Sequence, residues 1–405
     1  MASAFDALAR LEDERLDLLR DLPLALCGRR LAGAALSCFV QERFAEAGFS
    51  GDLARFLAQW RSPDAFVPVD TSGSTGSPKR LLADKRRMAQ SARRTCAFLG
   101  LKPGDRALLA MPLRYIAGKM VVVRALVCGL DLVPVEPCLA PFGQLDAPCG
   151  FVAVTPMQAW ESLKEPRSRD MLLASRHLLL GGGPVSAELA ELLRDAPCQV
   201  WSSYGMTETL SHIALRRVNG PCASEWYEPL PGVVLSLSGE GTLCISAPAV
   251  CEGTLATNDL CEMDGTGRFR ILGRRDNVID SGGVKVQIEA VEALLGPAMH
   301  APFCIAGVKD PRLGEKIVLL HEEEADPAEL EARARQVLPR HWVPRACFKV
   351  DALPRTGTGK PARKEAREMA ERRAWLWAMR WSFHAWPAPV LGFRSRIRSS
   401  APPVP

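Results

Sequence analysis

The run Thr71-Ser72-Gly73-Ser74-Thr75-Gly76-Ser77-Pro78-Lys79 has the residue types most able to do chemistry. Hydroxyl side chains alternate with glycines, so backbone N–H and side-chain O–H donors crowd a loop that can wrap phosphate oxygens. Lys79 adds a compact point charge. The run is not a Walker A loop, because no Gly-Lys-Ser/Thr follows Gly73 at the required spacing. Read alone, the segment has a competing interpretation as a Ser/Gly surface linker. A second cluster is Tyr204-Gly205-Met206-Thr207-Glu208-Thr209, after the apolar run CQVWSS. A glycine beside an aromatic lets a flat ring approach, Thr207 offers a hydroxyl, and Glu208 supplies a hard oxygen suited to Mg2+. Upstream, Gly181-Gly182-Gly183-Pro184 would let backbone lie flat against a base. Either segment alone could be an ordinary strand-to-loop turn.

Further along, Thr257-Asn258-Asp259-Leu260 holds an aspartate able to accept hydrogen bonds from a ribose diol. Gly273-Arg274-Arg275-Asp276-Asn277, Ser281-Gly282-Gly283-Val284-Lys285 and Leu353-Pro354-Arg355-Thr356-Gly357-Thr358-Gly359-Lys360 follow in that order. The last is a glycine-rich loop that holds up a single lysine, which in isolation reads as a solvated surface residue.

These clusters need a scaffold. Short apolar runs at 106–113, 131–135, 150–156 and 176–184 read as buried strands, with helical patterns at 117–129 and 186–196 between them. Such alternation predicts an α/β fold with a largely parallel sheet. The stretch 232–250, two β-type runs around Gly239-Glu240-Gly241, predicts an antiparallel hairpin. Beyond it a smaller α+β unit is expected. It opens with a helix carrying Ile288, Val291 and Leu295 on one face and Glu289 and Glu292 on another, then a strand at 303–310. The expected division is a large domain at 1–275, a small mobile domain at 276–370 and a poorly ordered Trp/Arg/Pro-rich tail at 371–405.

Composition narrows the function classes. At 405 residues, 47% hydrophobic and 24% charged, the chain is an ordinary globular protein of at least two domains, neither a rod nor a disordered chain. The net charge is +5, but four arginines and no acid lie between Ala374 and the end, which leaves the body near neutral. A nucleic-acid partner is therefore not expected. The thirteen scattered cysteines have no metal-like spacing and fit reduced thiols in a cytoplasmic protein. The N-terminus lacks the apolar core of a signal peptide, and no run is long enough to span a membrane. The tail carries Trp375, Trp377, Trp381 and Trp386 and could instead be a membrane-surface anchor.

Taken in order, the Ser/Thr/Gly loop, YGMTET, TNDL, GRRDN, SGGVK and PRTGTGK make a series that resembles the adenylate-forming superfamily. That superfamily includes acyl- and aryl-CoA synthetases, luciferases and peptide-synthetase adenylation domains. The resemblance spans roughly residues 65–365. The spellings MPLRYIAGKMVVVRAL, YGMTETLSHIALR and RRDNVIDSGGVKVQIEAVE are similar to the o-succinylbenzoate–CoA ligases of menaquinone biosynthesis. The resemblance implies ATP and Mg2+ as cofactors, coenzyme A as co-substrate and a small aryl dicarboxylate as acid substrate; a homodimer is a further expectation. Thr71, Ser72, Gly73, Ser74, Thr75, Gly76 and Lys79 would hold the β- and γ-phosphates. Gly181, Gly182, Gly183, Pro184, Tyr204 and Gly205 would enclose the adenine. Thr207 would meet the α-phosphate, Glu208 would ligate Mg2+, and Asp259 and Arg274 would bind the ribose. Asp276 matches a hinge, and Gly282 and Gly283 would line the pantetheine channel. Lys360 matches the lysine that bridges the acid and the α-phosphate. Tyr115, Gly118 and Arg124 fall in the acyl-site segment. Many members carry a histidine where this chain has Arg114-Tyr115, which puts gating of the acyl pocket there in doubt.

A dicarboxylate with one activated carboxyl needs the other held as an anion. Lys119 and Arg124 are the cations on the apolar helix, and their spacing places them about 140° apart around its axis. Only one should therefore face a pocket. Arg124 is the choice, because a guanidinium can grip a carboxylate with two hydrogen bonds. The competing reading is an arginine that snorkels to solvent. At the level of the whole chain, two alternatives stay open: activation of another aryl or acyl acid, and an inactive nucleotide-binding module.

Overall fold

The computed structural model describes residues 15–44, 48–71, 80–356 and 361–384. Its centre is a nine-stranded sheet. From one edge the strands are Glu228–Pro229, His212–Arg217, Gln199–Gly205, His177–Leu180, Phe151–Val154, Arg106–Leu109, Asp131–Pro134, Leu24–Leu26 and Arg29–Leu31. The six from Gln199–Gly205 to Leu24–Leu26 run parallel, and the outer pairings are antiparallel. Every residue of Phe151–Val154 and His177–Leu180 is buried, as expected of strands covered on both faces.

Successive residues of these strands serve two different cores. Ala107, Leu109, Phe151, Ala153 and Leu179 pack with the helices Lys85–Leu99 and Ile116–Cys128 through Met88, Ala92 and Met120. Leu108, Val152, Val154, Leu178 and Leu180 pack on the opposite face with Ala159, Leu172 and Leu189. Those three belong to the helices Pro156–Lys164, Pro166–Leu173 and Ala187–Leu192. Three of the six parallel strands end at Val154, Leu180 and Gly205, and the loops that carry Thr155, residues 181–184 and residues 206–209 start there.

The expected hairpin is present. Val234–Leu237 pairs antiparallel with Thr242–Ser246, and Thr254–Met263 and Phe269–Arg274 extend it to a four-stranded sheet. A single 3-10 turn, Arg275–Asn277, has no buried residue and leads into a five-stranded sheet. There Val278–Ser281 and Val284–Gln287 form a hairpin, and Phe303–Asp310, Gly314–His321 and Ala346–Lys349 complete the sheet. The helix Ile288–Leu295 buries Ile288, Val291 and Leu295, the face that the spacing predicts.

One expectation needs correction: the tail does not begin at 371, because one helix runs Arg363–His384. Ala366, Ala370 and Ala374 recur every four residues and pack against Cys304, Ala306 and Val308, so the contact continues past that boundary. Residues 385–405 lie outside the described residues. Glu292, off the buried face as the spacing predicts, accepts from both terminal nitrogens of Arg363, at 2.6 Å each, and from the Ile305 amide at 2.9 Å.

Candidate active site

The strand Gln199–Gly205 carries Tyr204 to the end of the large sheet. The Tyr204 ring stands edge-on to Phe269 at 5.2 Å between centroids, and Tyr227 stacks on Phe269 at 5.5 Å. Its hydroxyl donates to Asp259 Oδ2 at 2.6 Å. Burial, and then the Asp259 charge, push the Tyr204 phenol well above its ordinary value, so it stays a donor. Asp259 faces Arg274 across the ladder of the four-stranded sheet, and Arg274 Nη1 donates to Asp259 Oδ1 at 3.3 Å. Arg274 also donates from Nε at 3.0 Å and Nη2 at 3.2 Å to the two oxygens of Asp276. Burial works against the Arg274 charge, but these carboxylates outweigh it and raise its pKa. The structure thus joins the expected base, ribose and hinge residues Tyr204, Asp259, Arg274 and Asp276 in one chain of hydrogen bonds.

Gly205 owes its identity to a crossing of chains. A Cβ there would lie 2.2 Å from the Ser211 carbonyl oxygen, so the strand His212–Arg217 can return alongside only if residue 205 is glycine. The chain turns between them through the 3-10 segment Thr207–Thr209, anchored by Thr209 Oγ1 accepting from the Met206 amide at 3.0 Å. Leu210 completes the turn in the left-handed region, at φ +64°. Glu208 is exposed on this turn and Thr207 is half-buried. An exposed carboxylate on a short anchored turn fits a magnesium ligand.

Gly181 follows the neighbouring strand, and Ser203 Oγ fills the space of its missing Cβ at 2.7 Å. Gly183 has nothing within 4 Å, which leaves that backbone open. Gly182 and Pro184 complete the same loop beside Tyr204's strand. Thr71 is half-buried at the end of the strand Phe66–Asp70, whose Asp70 amide donates to the Arg114 carbonyl at 3.0 Å. Asp70 also bridges to Tyr115, which caps the start of the helix Ile116–Cys128. Ser72, Gly73, Ser74, Thr75, Gly76 and Lys79 lie outside the described residues, as does Lys360.

On the helix Ile116–Cys128, Gly118 lies against backbone: a Cβ would meet the Met111 and Pro112 carbonyl oxygens at 2.7 Å. Both helix cations are buried, at 5% and 2% exposure, and point to different neighbours. Lys119 Nζ sits 4.7 Å over the Phe56 ring, and burial pulls its pKa down to about 8. Arg124 lies over Phe151 and donates from Nη2 to Ser211 Oγ at 2.7 Å and Thr95 Oγ1 at 3.2 Å. Its Nε has no partner, and burial pulls its pKa down to about 10. No ion pair to Arg124 occurs among the described residues. It does not snorkel.

In the small sheet, Gly282 and Gly283 form the two-residue turn of the hairpin, with φ +63° and +82° as a type I′ turn requires. Gly283 borders an open groove of about 830 Å³ with Asp280, Lys309, Leu313 and Arg367. The Lys360 loop is closed at its ends by a bridge between Arg355 and Pro361. Arg363, just beyond it, is fixed by Glu292. Sequence reasoning missed this pair, and also missed Thr95, Ser211 and His212, because each depends on partners distant in the chain. The only local signal was a charged residue within an apolar helix.

The family model described as AMP-binding enzyme matches residues 57–253, and that for the C-terminal domain of AMP-binding enzymes matches 297–360. The chain is 30% identical to the 2-succinylbenzoate–CoA ligase of Bacillus licheniformis over 73% of this chain and 68% of that protein. It is 34% identical to an acyl-CoA synthetase (AMP-forming)/AMP-acid ligase II-like protein of Dyadobacter fermentans. That solved structure superposes with a TM-score of 0.56 over 82% of this chain and 97% of its own. The o-succinylbenzoate–CoA synthetase of Bacillus subtilis, solved with its acyl-adenylate intermediate OSB-AMP, is 25% identical, with a TM-score of 0.62 over 74% and 68% of the two chains. With the motif order, the sheet and the Tyr204–Asp259–Arg274 arrangement in hand, these matches place the chain in the AMP-binding, adenylate-forming enzyme family, as an AMP-forming acid–thiol ligase.

Proposed function

We propose that the protein activates 2-succinylbenzoate with ATP and transfers the acyl group to coenzyme A, a step of menaquinone biosynthesis carried out in the cytoplasm. A carboxylate resists attack by a thiol, because its oxygen is a poor leaving group and its charge repels the thiolate. A carboxylate oxygen therefore first attacks the α-phosphorus of ATP, forming an O–P bond as diphosphate leaves. The coenzyme A sulfur then attacks the acyl carbon, forming a C–S bond as AMP leaves.

The residues divide this work. Tyr204, with Gly181, Gly182, Gly183, Pro184 and Gly205, holds the base, and Asp259 with Arg274 accepts and donates to the ribose hydroxyls. Thr71, Ser72, Gly73, Ser74, Thr75, Gly76 and Lys79 hold the outer phosphates. Thr207 meets the α-phosphate and Glu208 holds magnesium, which supplies Lewis-acid stabilisation of the phosphoryl oxygens when bound. Lys360 bridges the attacking carboxylate and the α-phosphate, where negative charge develops. Thioester formation needs a thiol channel past Gly282 and Gly283, and Asp276 is the hinge that exchanges one arrangement for the other.

The observation that carries the substrate is Arg124. A guanidinium 2% exposed, with neutral hydroxyls and an aromatic ring as neighbours, is costly without an anion. The ring carboxylate of 2-succinylbenzoate is an anion of the right charge and shape. Tyr115 borders the same segment. The test is diphosphate release with a panel of acids. 2-Succinylbenzoate should be the preferred substrate, and equal or faster turnover of benzoate or a fatty acid would reject it. Absence of diphosphate release with every acid would favour an inactive nucleotide-binding module.

A further inference from the structure

Arg124 Nη2 is held by a cluster of neutral groups whose protons can be assigned in turn, while Nε has no partner. Thr95 Oγ1 donates to the Ser91 carbonyl at 3.1 Å, which uses its one proton. It must therefore accept both from Arg124 Nη2 at 3.2 Å and from His212 Nε2 at 3.1 Å. His212 consequently carries its proton on Nε2, and Nδ1 is an acceptor. Ser211 Oγ accepts from Arg124 Nη2 at 2.7 Å and faces His212 Nδ1 at 3.4 Å, so its proton goes to the imidazole. Burial, reinforced by the Arg124 charge, keeps His212 neutral. Thr95 and His212 are buried, at 0% and 7% exposure, and stand on different elements from Arg124.

We propose that Thr95, Ser211 and His212 are positioning residues that set specificity for a second carboxylate, by fixing the Arg124 guanidinium without supplying a counter-charge. An aspartate or glutamate at any of these places would fix the arginine more strongly, but would satisfy it within the protein and cancel its attraction for an anionic acid. Hydroxyl and neutral imidazole oxygens and nitrogens give direction alone. The cluster also ties the acyl side of the site to the nucleotide side, because Ser211 and His212 directly follow the turn that bears Thr207 and Glu208. This inference rests on the assignment of Arg124 to the acid's retained carboxylate.

The test compares 2-succinylbenzoate with 3-benzoylpropionate, the same keto acid without the ring carboxylate, each as substrate or as competitive inhibitor. Thr95→Val removes the shared acceptor while keeping the shape. It should raise KM for the dicarboxylate about tenfold, the worth of one charge-assisted hydrogen bond. The KM for ATP, the kcat and the binding of the monoacid should not move. Thr95→Ser, which restores the hydroxyl, should recover the preference. Ser211→Ala, at a half-buried position that tolerates truncation, should act in the same direction and stands in if Thr95→Val does not fold. Arg124→Met separates the two claims. If Arg124→Met leaves the preference for the dicarboxylate intact, the Arg124 assignment itself fails. If Arg124→Met abolishes the preference while Thr95→Val and Ser211→Ala preserve it, the positioning role is overturned and the assignment stands.

Discussion

Two arginines withdrawn from solvent do opposite things in this protein. Arg363 meets Glu292 through two parallel hydrogen bonds of 2.6 Å, and the carboxylate raises its pKa well above the ordinary value despite burial. Arg124 has hydroxyls instead of a carboxylate, and burial pulls its pKa down to about 10. The first is complete within the protein and joins the helix Ile288–Leu295 to the helix that follows the Lys360 loop. The second is left electrostatically open. A buried charge with its own counter-charge is architecture, whereas one without it is a demand placed on a ligand.

The difference can be broken from either side. Arg124→Ala should give the largest change, raising KM for 2-succinylbenzoate by the equivalent of about 2–5 kcal/mol with the KM for ATP nearly constant. Steady-state kinetics with both substrates varied measures this, and an unchanged KM for the acid would contradict the assignment. Lys360→Ala should slow adenylate formation by about 10²–10³-fold, or ~3–4 kcal/mol, and spare thioester formation from pre-made acyl-AMP. Equal losses in the two half-reactions would remove Lys360 from that role.

Glu292→Gln tests the completed pair. It should lower stability by about 1–3 kcal/mol, less than for a fully buried pair because both side chains keep about a fifth of their exposure. The midpoint of urea unfolding should fall, whereas Arg124→Met should leave that midpoint unchanged or raise it. Equal destabilisation by both would erase the contrast. Asp276→Pro should impair thioester formation more than adenylation. Since Asp276 also accepts two hydrogen bonds from Arg274, Asp276→Ala is the needed companion, and a hinge effect is the part that proline adds.

The smallest effect concerns Lys119, whose ammonium burial pulls down from 10.5 to about 8. Below pH 8 it is charged in folded and unfolded chains alike, and the cost of burying it is fully present. Between about 8 and 10.5 the unfolded chain binds more protons, so stability should rise with pH across that window. Lys119→Met should flatten this slope in urea titrations, and persistence of the slope would assign it to other groups.

Much of this was legible from local sequence. The buried strands 151–154 and 177–180 declare themselves as unbroken apolar runs, because both faces are covered. The 234–246 hairpin is written in its Gly-Glu-Gly turn, and the Ile288/Val291/Leu295 face in its spacing. The motif order pointed to the family that the comparisons show. Illegible were the pairings across distance: Arg363 with Glu292, Thr95 with His212, Gly205 with the Ser211 carbonyl. Each partner is unremarkable in its own segment, and only the folded topology brings them together. The extension of the last helix beyond 370 was missed for a simpler reason. Its contact face is built of alanines, which give little contrast against the surrounding charges.

The aromatic group around Phe269 also has a spectroscopic consequence. The chain contains three tyrosines: Tyr204 and Tyr227, which form a triangle of rings with Phe269, and Tyr115, which stands apart from them beside Asp70. Global incorporation of 3-fluorotyrosine would therefore yield a fluorine spectrum of three lines with no background from the rest of the protein. Under the proposed function, the Tyr204 line, hydrogen-bonded to Asp259, should respond to ATP and the Tyr115 line to the acid substrate. Occupancy of the two halves could be followed separately in one tube, without mutating a residue.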